Sequence, residues 1–179
     1  MIDRHTAVDY LGILEDVFLV RQLPAWGSTL TSRTTKAPKI HMLDSGLAAR
    51  LLRMAPDHLA RRDVSALAEF GHLLETFVVG ELIKQATWLD ALVQWSHWRT
   101  RDGVEVDFVL ERDDGCIVGV EIKAGTRVLG GDLTGLEKLR QLVGDAFLAG
   151  VVLYTGDRSY SPGDKIYVVP LDRVWSQIE

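Results

Sequence analysis

Asp107, Glu121 and Lys123 are the residues of this chain whose types and spacing could do chemistry. They fall in VEVDFVLERDDGCIVGVEIK, residues 104–123. Val104, Val106, Phe108 and Leu110 alternate against Glu105, Asp107 and Val109, a period of two that predicts a strand with one face in a core. Arg112-Asp113-Asp114-Gly115 then carries an Asp-Gly turn signal, and a second run sets Val118, Val120 and Ile122 against Gly119, Glu121 and Lys123. A hairpin of this register projects Asp107, Glu121 and Lys123 from one face. Two carboxylates and an ammonium gain nothing in an apolar strand unless water, a metal or one another satisfies them. Hard carboxylate oxygens suit Mg2+, beside which a lysine can steady a phosphate or the attacking water. The plain alternative is a solvated sheet face with Glu121 and Lys123 in loose ionic contact.

The D…ExK pattern of Asp107, Glu121 and Lys123 resembles the core of the PD-(D/E)XK nuclease-like superfamily. RTRDGVEVDFVLERDDGCIVGVEIKAG is similar to the version in the DUF4143 region found at the C-terminal end of a group of prokaryotic AAA-type ATPases. TAVDYLGILEDVFLVRQLP, KAPKIHMLDSGLAARLL and GHLLETFVVGELIKQ match that group's pattern in the same order, so the resemblance covers most of the chain. It implies a metal held by Asp107 and Glu121 with a helix carboxylate, for which Glu75 fits better than Glu81. It also implies Lys123 as the catalytic lysine, Arg99 as a strand-end contact to phosphate, and Glu105 as a supporting acid beside Asp107. Mg2+, or Mn2+ in its place, is the implied cofactor.

The rest of the sequence must position these residues. At 179 residues, 47% apolar and 25% charged, the chain has the composition of a globular protein of one sizeable or two small domains. A single cysteine, Cys116, excludes an internal disulfide and a cysteine-rich zinc site, and a cytoplasmic setting is the simplest fit. Nowhere do 18 apolar residues follow one another, so no membrane partner is expected. Residues 1–65 carry a formal +2 and residues 66–179 a formal −7, together the −5 of the chain. No acid stands between Asp16 and Asp44, a gap that holds Arg21, Arg33, Lys36 and Lys39. Such a basic arm can meet nucleic-acid phosphate on an otherwise acidic protein, or be a solvated hairpin.

Residues 6–16 read as a helix with Thr6 at its N-cap, followed by strands at 17–23 and 40–43. Helix plus basic hairpin resembles the end of a winged helix-turn-helix, a module that follows the ATPase in the resembled group. On that expectation residues 1–45 are a partial winged-helix-like module, Met1 begins a fragment, and apolar surface is exposed where earlier helices would pack. Asp44 caps a short helix from Leu47, and residues 46–65 form a connecting helix and linker. Residues 66–179 form the main domain. There a helix is predicted over 66–89, strands over 93–100, 147–154 and 166–170, a helix over 132–143 ended by Gly144, and a terminal helix over 171–179. His97 has no second His or Cys at ligand spacing, which argues against zinc. Gly125–Gly130 is followed by Gly131-Asp132 where a Walker loop needs Lys-Ser/Thr, so no nucleotide site is expected.

The predicted fold class is therefore α/β, a mixed sheet flanked by helices with a PD-(D/E)XK nuclease-like core and a small winged-helix-like remnant ahead of it. The function expected first is a C-terminal nuclease-like module of an AAA-type ATPase, binding nucleic acid or a partner, the ATPase portion or an oligomer among them, without cutting. The alternative is an active Mg2+-dependent endonuclease working through Asp107, Glu121 and Lys123. Retained acids favour chemistry, whereas the acidic balance and the lack of a basic stripe favour binding.

Overall fold

The computed structural model describes residues 3–27, 29, 37–54 and 64–176. Its helices are α1 (Arg4–Asp16), α2 (Ser45–Leu51), α3 (Val64–Ala86) and α4 (Thr134–Val143). Strands β1 (Val20–Leu23) and β2 (Lys39–Met42) pair as an antiparallel ribbon. A mixed six-stranded sheet takes the rest: β3 (Val93–Arg99), β4 (Glu105–Arg112), β5 (Ile117–Lys123), β6 (Phe147–Tyr154), β7 (Tyr160–Gly163) and β8 (Ile166–Pro170), in the order β3-β4-β5-β6-β8-β7. The β3-β4-β5 meander is antiparallel, β5, β6 and β8 run parallel, and β7 returns antiparallel at the far edge. This is the expected α/β class with a mixed sheet flanked by helices.

Each face of the sheet carries its own core. Against α4 lie Val106, Val109, Ile117, Phe147, Val152, Ile166 and Val168, closed by Leu136 and Leu139 of the helix. Phe108, Val120, Ile122 and Leu153 of the opposite face pack under Leu74, Val78, Val79 and Ile83 of α3. Close approach of α4 depends on missing side chains. A Cβ on Gly135 would stand 2.0 Å from the Glu105 carbonyl oxygen, and one on Gly119 would stand 2.8 Å from Leu136.

Several local expectations are corrected. Asp3, not Thr6, caps α1, its carboxylate accepting from the N–H groups of His5 and Thr6. The following strand starts only at Val20, because Phe18 takes a left-handed conformation (φ 59°) that ends the helix in a turn. Instead of a terminal helix there is a short 3-10 turn, Leu171–Trp175. Gln85 donates to the Val174 carbonyl and the Trp175 indole donates to Glu81, so the segment is tied to α3. Tyr160–Gly163, where the sequence predicts no element, is an exposed edge strand, a sheet position that tolerates its proline.

The boundary expected after residue 45 does not separate the packing. Leu23 is fully buried under α3, Ala25 bridges to His97 at the edge of β3, and Trp26 lies in the α4-side core, its indole donating to Glu111. Residues 3–23 and 39–42 form one helix and one ribbon, and Val8, Tyr10, Ile13, Val17 and Phe18 are left exposed. The predicted linker falls largely outside the described residues, as do Arg33 and Lys36.

Candidate active site

Strand β4 does not keep the regular alternation its sequence suggests. Ser96 pairs with Val109 and Trp98 with Val106, so the single residue His97 faces both Asp107 and Phe108. This is a β-bulge, and it returns Val109 to the face of Val106 while Phe108 turns to the opposite core. The expectation that Val106 and Phe108 share a face is thereby corrected. The bulge also re-aims Asp107, which sits where β4 and β5 part: their last pair on this side is Phe108 with Val120. Into that fork Asp107 turns its carboxylate, and Oδ2 accepts the Ile122 N–H at 3.0 Å.

Glu121 and Lys123 follow on β5 with the alternation the sequence predicts, away from Val120 and Ile122. The Lys123 ammonium lies 2.9 Å from Glu121 Oε1 and 3.6 Å from Asp132 Oδ1. Glu121 is only 8% exposed, and its Oε2 has no hydrogen-bond partner. Burial, with repulsion from Asp107 added, pushes its carboxyl up to about 8 against the pull of Lys123 and Lys39. Burial opposes the charge on Lys123, yet Glu121, Asp132 and Asp107 outweigh it and hold the ammonium above its ordinary value.

Glu75 reaches the same place from α3, and Glu105 from the start of β4. Glu75, Glu105, Asp107, Glu121 and Lys123 all line one cavity of about 650 Å3, together with His72, Asp132 and Thr134. A larger cavity, about 960 Å3, lies elsewhere, between Phe77, Tyr154, Leu171 and Trp175. Titratable groups of both signs converge at the smaller one and at an adjoining cavity lined by Lys39, His41, Glu75, Arg99, Glu105 and Asp107, and these form the candidate site.

Lys39, expected on a basic arm with Arg21, Arg33 and Lys36, points inward. Its ammonium stands 2.8 Å from Glu75 Oε1, 2.9 Å from Asp107 Oδ1 and 3.2 Å from Glu105 Oε2. Burial opposes the charge on Lys39, but Asp107 and Glu75 overcome it and raise the ammonium above its usual range. On Glu75, burial and Asp107 raise the carboxyl while Lys39 holds it back. Arg99 closes the cluster with Nε 3.0 Å from Glu105 Oε1, its side chain more than half exposed. Arg21, opposite His41 in the ribbon, is half-buried. His41 is buried with Nδ1 3.2 Å from Thr76 Oγ1, and burial, then Lys39, depress its imidazole to about 4.

Sequence reasoning missed the inward turn of Lys39 and His41, although a signal for it exists. Lys39-Ile40-His41-Met42 alternates, and in a ribbon that exposes Ile40 the two basic residues share the inner side. What these groups can do follows from their donors. All the acids offer hard oxygens, and the orphaned Glu121 Oε2 is an acceptor in need of a cation or a donor. The donor set fits Mg2+ or Mn2+ in kind. Its present spacing is that of oxygens around an ammonium, and among the described residues no three His, Cys, Asp or Glu side chains stand at metal-binding distance. Among the described residues, too, no helix is long and apolar enough to cross a membrane.

The model of a domain of unknown function, DUF4143, matches residues 70–174, which contain the six-stranded sheet and the acids of the cavity. A second such model, DUF8612, matches residues 1–58, which include Lys39. Uncharacterized proteins of Mycobacterium tuberculosis and Mycobacterium bovis are each 31% identical over 170 residues. That alignment takes in 94% of this chain and 35% of each relative, so the chain spans about a third of the length of the curated relatives it matches.

Proposed function

This chain belongs to the DUF4143 family, and on that premise we propose that it is a PD-(D/E)XK nuclease-like module of a longer protein, whose acid cavity takes a divalent cation and acts on nucleic-acid phosphodiesters. One observation carries the proposal: Glu121 is buried beside Asp107 with one oxygen on Lys123 and the other on nothing. A fold that needed only stability would replace such a carboxylate by an apolar or amide side chain, since an unsatisfied buried acceptor costs about 1–3 kcal/mol. A dication relieves that cost.

Asp107, Glu121 and Glu75 would hold the ion, which when bound supplies Lewis acidity toward the scissile phosphate and lowers the pKa of water. Lys123 neutralises charge developing on the phosphoryl oxygens and orients the attacking water, with Asp132 steadying its ammonium. Arg99, exposed at the rim, contacts an adjacent phosphate, and Glu105 sets the guanidinium's direction. In this proposal α1 and the β1–β2 ribbon are the end of a winged helix, and the additional length of the relatives is where an AAA-type ATPase stands.

Glu121→Gln and Asp107→Asn should each abolish Mg2+-dependent cleavage of duplex, single-stranded or branched DNA or RNA while leaving the fold intact. Absence of cutting by the wild-type chain on all of these, with Mg2+ and with Mn2+, would overturn the catalytic proposal. A second function, binding nucleic acid or the rest of the protein without cutting, is favoured by Lys39, whose ammonium already neutralises part of the cluster.

A further inference from the structure

The ammonium of Lys39 faces three carboxylates: it donates to Glu75 and Asp107 and lies within ion-pair distance of Glu105. Those oxygens lie 2.8 to 3.2 Å from the nitrogen. A Mg2+ ion would demand oxygens at about 2.0 to 2.1 Å. The two cations would compete for the same volume and the same lone pairs, so the acids cannot serve both. Resting on the nuclease-like proposal, we propose that Lys39 is a built-in counter-ion that holds the metal position closed, and that the divalent ion binds only when this side chain withdraws.

Charge and anchoring both support a replaceable plug. Five carboxylates, Glu75, Glu105, Asp107, Glu121 and Asp132, meet three cationic heads, Lys39, Lys123 and Arg99. Acids outnumber cations, and the buried Glu121 Oε2 has no donor. Exchanging one ammonium for a dication adds positive charge to this acid-rich cluster. The ribbon that delivers Lys39 is held unevenly. On β1 Val20 and Leu23 are buried, Leu23 completely, whereas on β2 only His41 is buried, and that residue meets α3 through a single polar contact to Thr76. Local opening belongs to the element with fewer buried apolar contacts. The lysine stem can therefore swing out without disturbing the sheet that carries Asp107 and Glu121. Lys39 precedes residue 70 and the acids follow it, so the two halves of the device lie in segments matched by different family models.

Titration of the full chain with Mn2+ tests this. Lys39→Met should bind one Mn2+ at least about tenfold more tightly than the wild type, and adding Glu75→Gln should remove the gain. In the wild type, acylation of Lys39 by an amine-reactive ester, followed by mass spectrometry, should be slow without metal and several-fold faster with saturating Mn2+. Equal Mn2+ affinity of the two proteins, or a bound ion with Lys39 still protected, would overturn the counter-ion while leaving the metal site standing. No Mn2+ binding by either protein would overturn both. Should Lys39→Met fail to fold, the acylation of wild-type Lys39 decides alone.

Discussion

At the scale of single residues the costly group is Glu121. Its folded carboxyl titrates near 8, whereas an unfolded glutamate titrates near 4.5. Between those values the native state keeps a proton that the unfolded chain has released. Stability without metal should therefore fall as pH rises through roughly pH 4.5 to 8, the reverse of an ordinary paired carboxylate. Glu121→Gln removes the titration. Its melting temperature should exceed that of the wild type by several degrees at pH 8.5 and approach it at pH 5, as followed by circular dichroism. Saturating Mg2+ should cancel the difference at high pH, because a ligand at a hundred times its dissociation constant stabilises by about 2.7 kcal/mol. A wild type whose melting temperature is flat over this range would refute the burial of charge at position 121. Lys123 bears on the same group from the other side. Lys123→Met leaves both Glu121 oxygens unpartnered, so above about pH 8, where Glu121 is ionised, it should destabilise the metal-free protein, by less than the about 3–5 kcal/mol of breaking a fully buried pair because a third of the lysine side chain is open to water.

At the scale of elements, the site exists because a bulge, a fork and a close helix coincide. The bulge at Asp107-Phe108 fills both cores and still leaves the acid free to enter the fork. Helix α4 then covers the first residues of β4 so closely that its Gly135 touches the Glu105 backbone. Gly135→Ala must push α4 off the strand, since backbone cannot yield as a flexible side chain does. Chemical denaturation should show a loss of about 1–3 kcal/mol, the usual range for an overpacked contact. Metal affinity should fall with it, because Asp132 and Thr134, which line the cavity, move with the helix.

Across the whole molecule, residues from the N-terminal segment complete the main core. Leu23 and Trp26 are buried in opposite layers, and Ala25 extends the sheet beyond β3. Trp26→Ala should cost about 3–5 kcal/mol, as large aromatic truncations do, and urea unfolding measures it. A chain starting at residue 46 should consequently be unstable or aggregate, even though it contains every residue matched by the DUF4143 model. A deletion that melts like the intact chain would show that residues 23–26 are an ornament of the domain rather than part of it.

Much of this protein was legible one residue at a time. Local alternation located the β4–β5 hairpin, its Asp-Gly turn and the run of Glu121 and Lys123, because a half-buried strand imposes period two on its own sequence. Helix α3, the end of α4 at Gly144, the buried strand β6 and the Asp44 cap followed from equally local rules. Alternation could not reveal the bulge, since one extra residue changes faces without changing composition. It also could not tell where Lys39 points: that depends on acids thirty-six and more positions away in the chain, which meet it only after the ribbon docks on α3. The residue types at the site were therefore set by the sequence, while their partnership, three carboxylates closed over a lysine from the other end of the chain, was decided by tertiary packing. An ion pair between distant segments leaves no periodic trace, because its energy depends on position in space and on burial, not on neighbours along the chain.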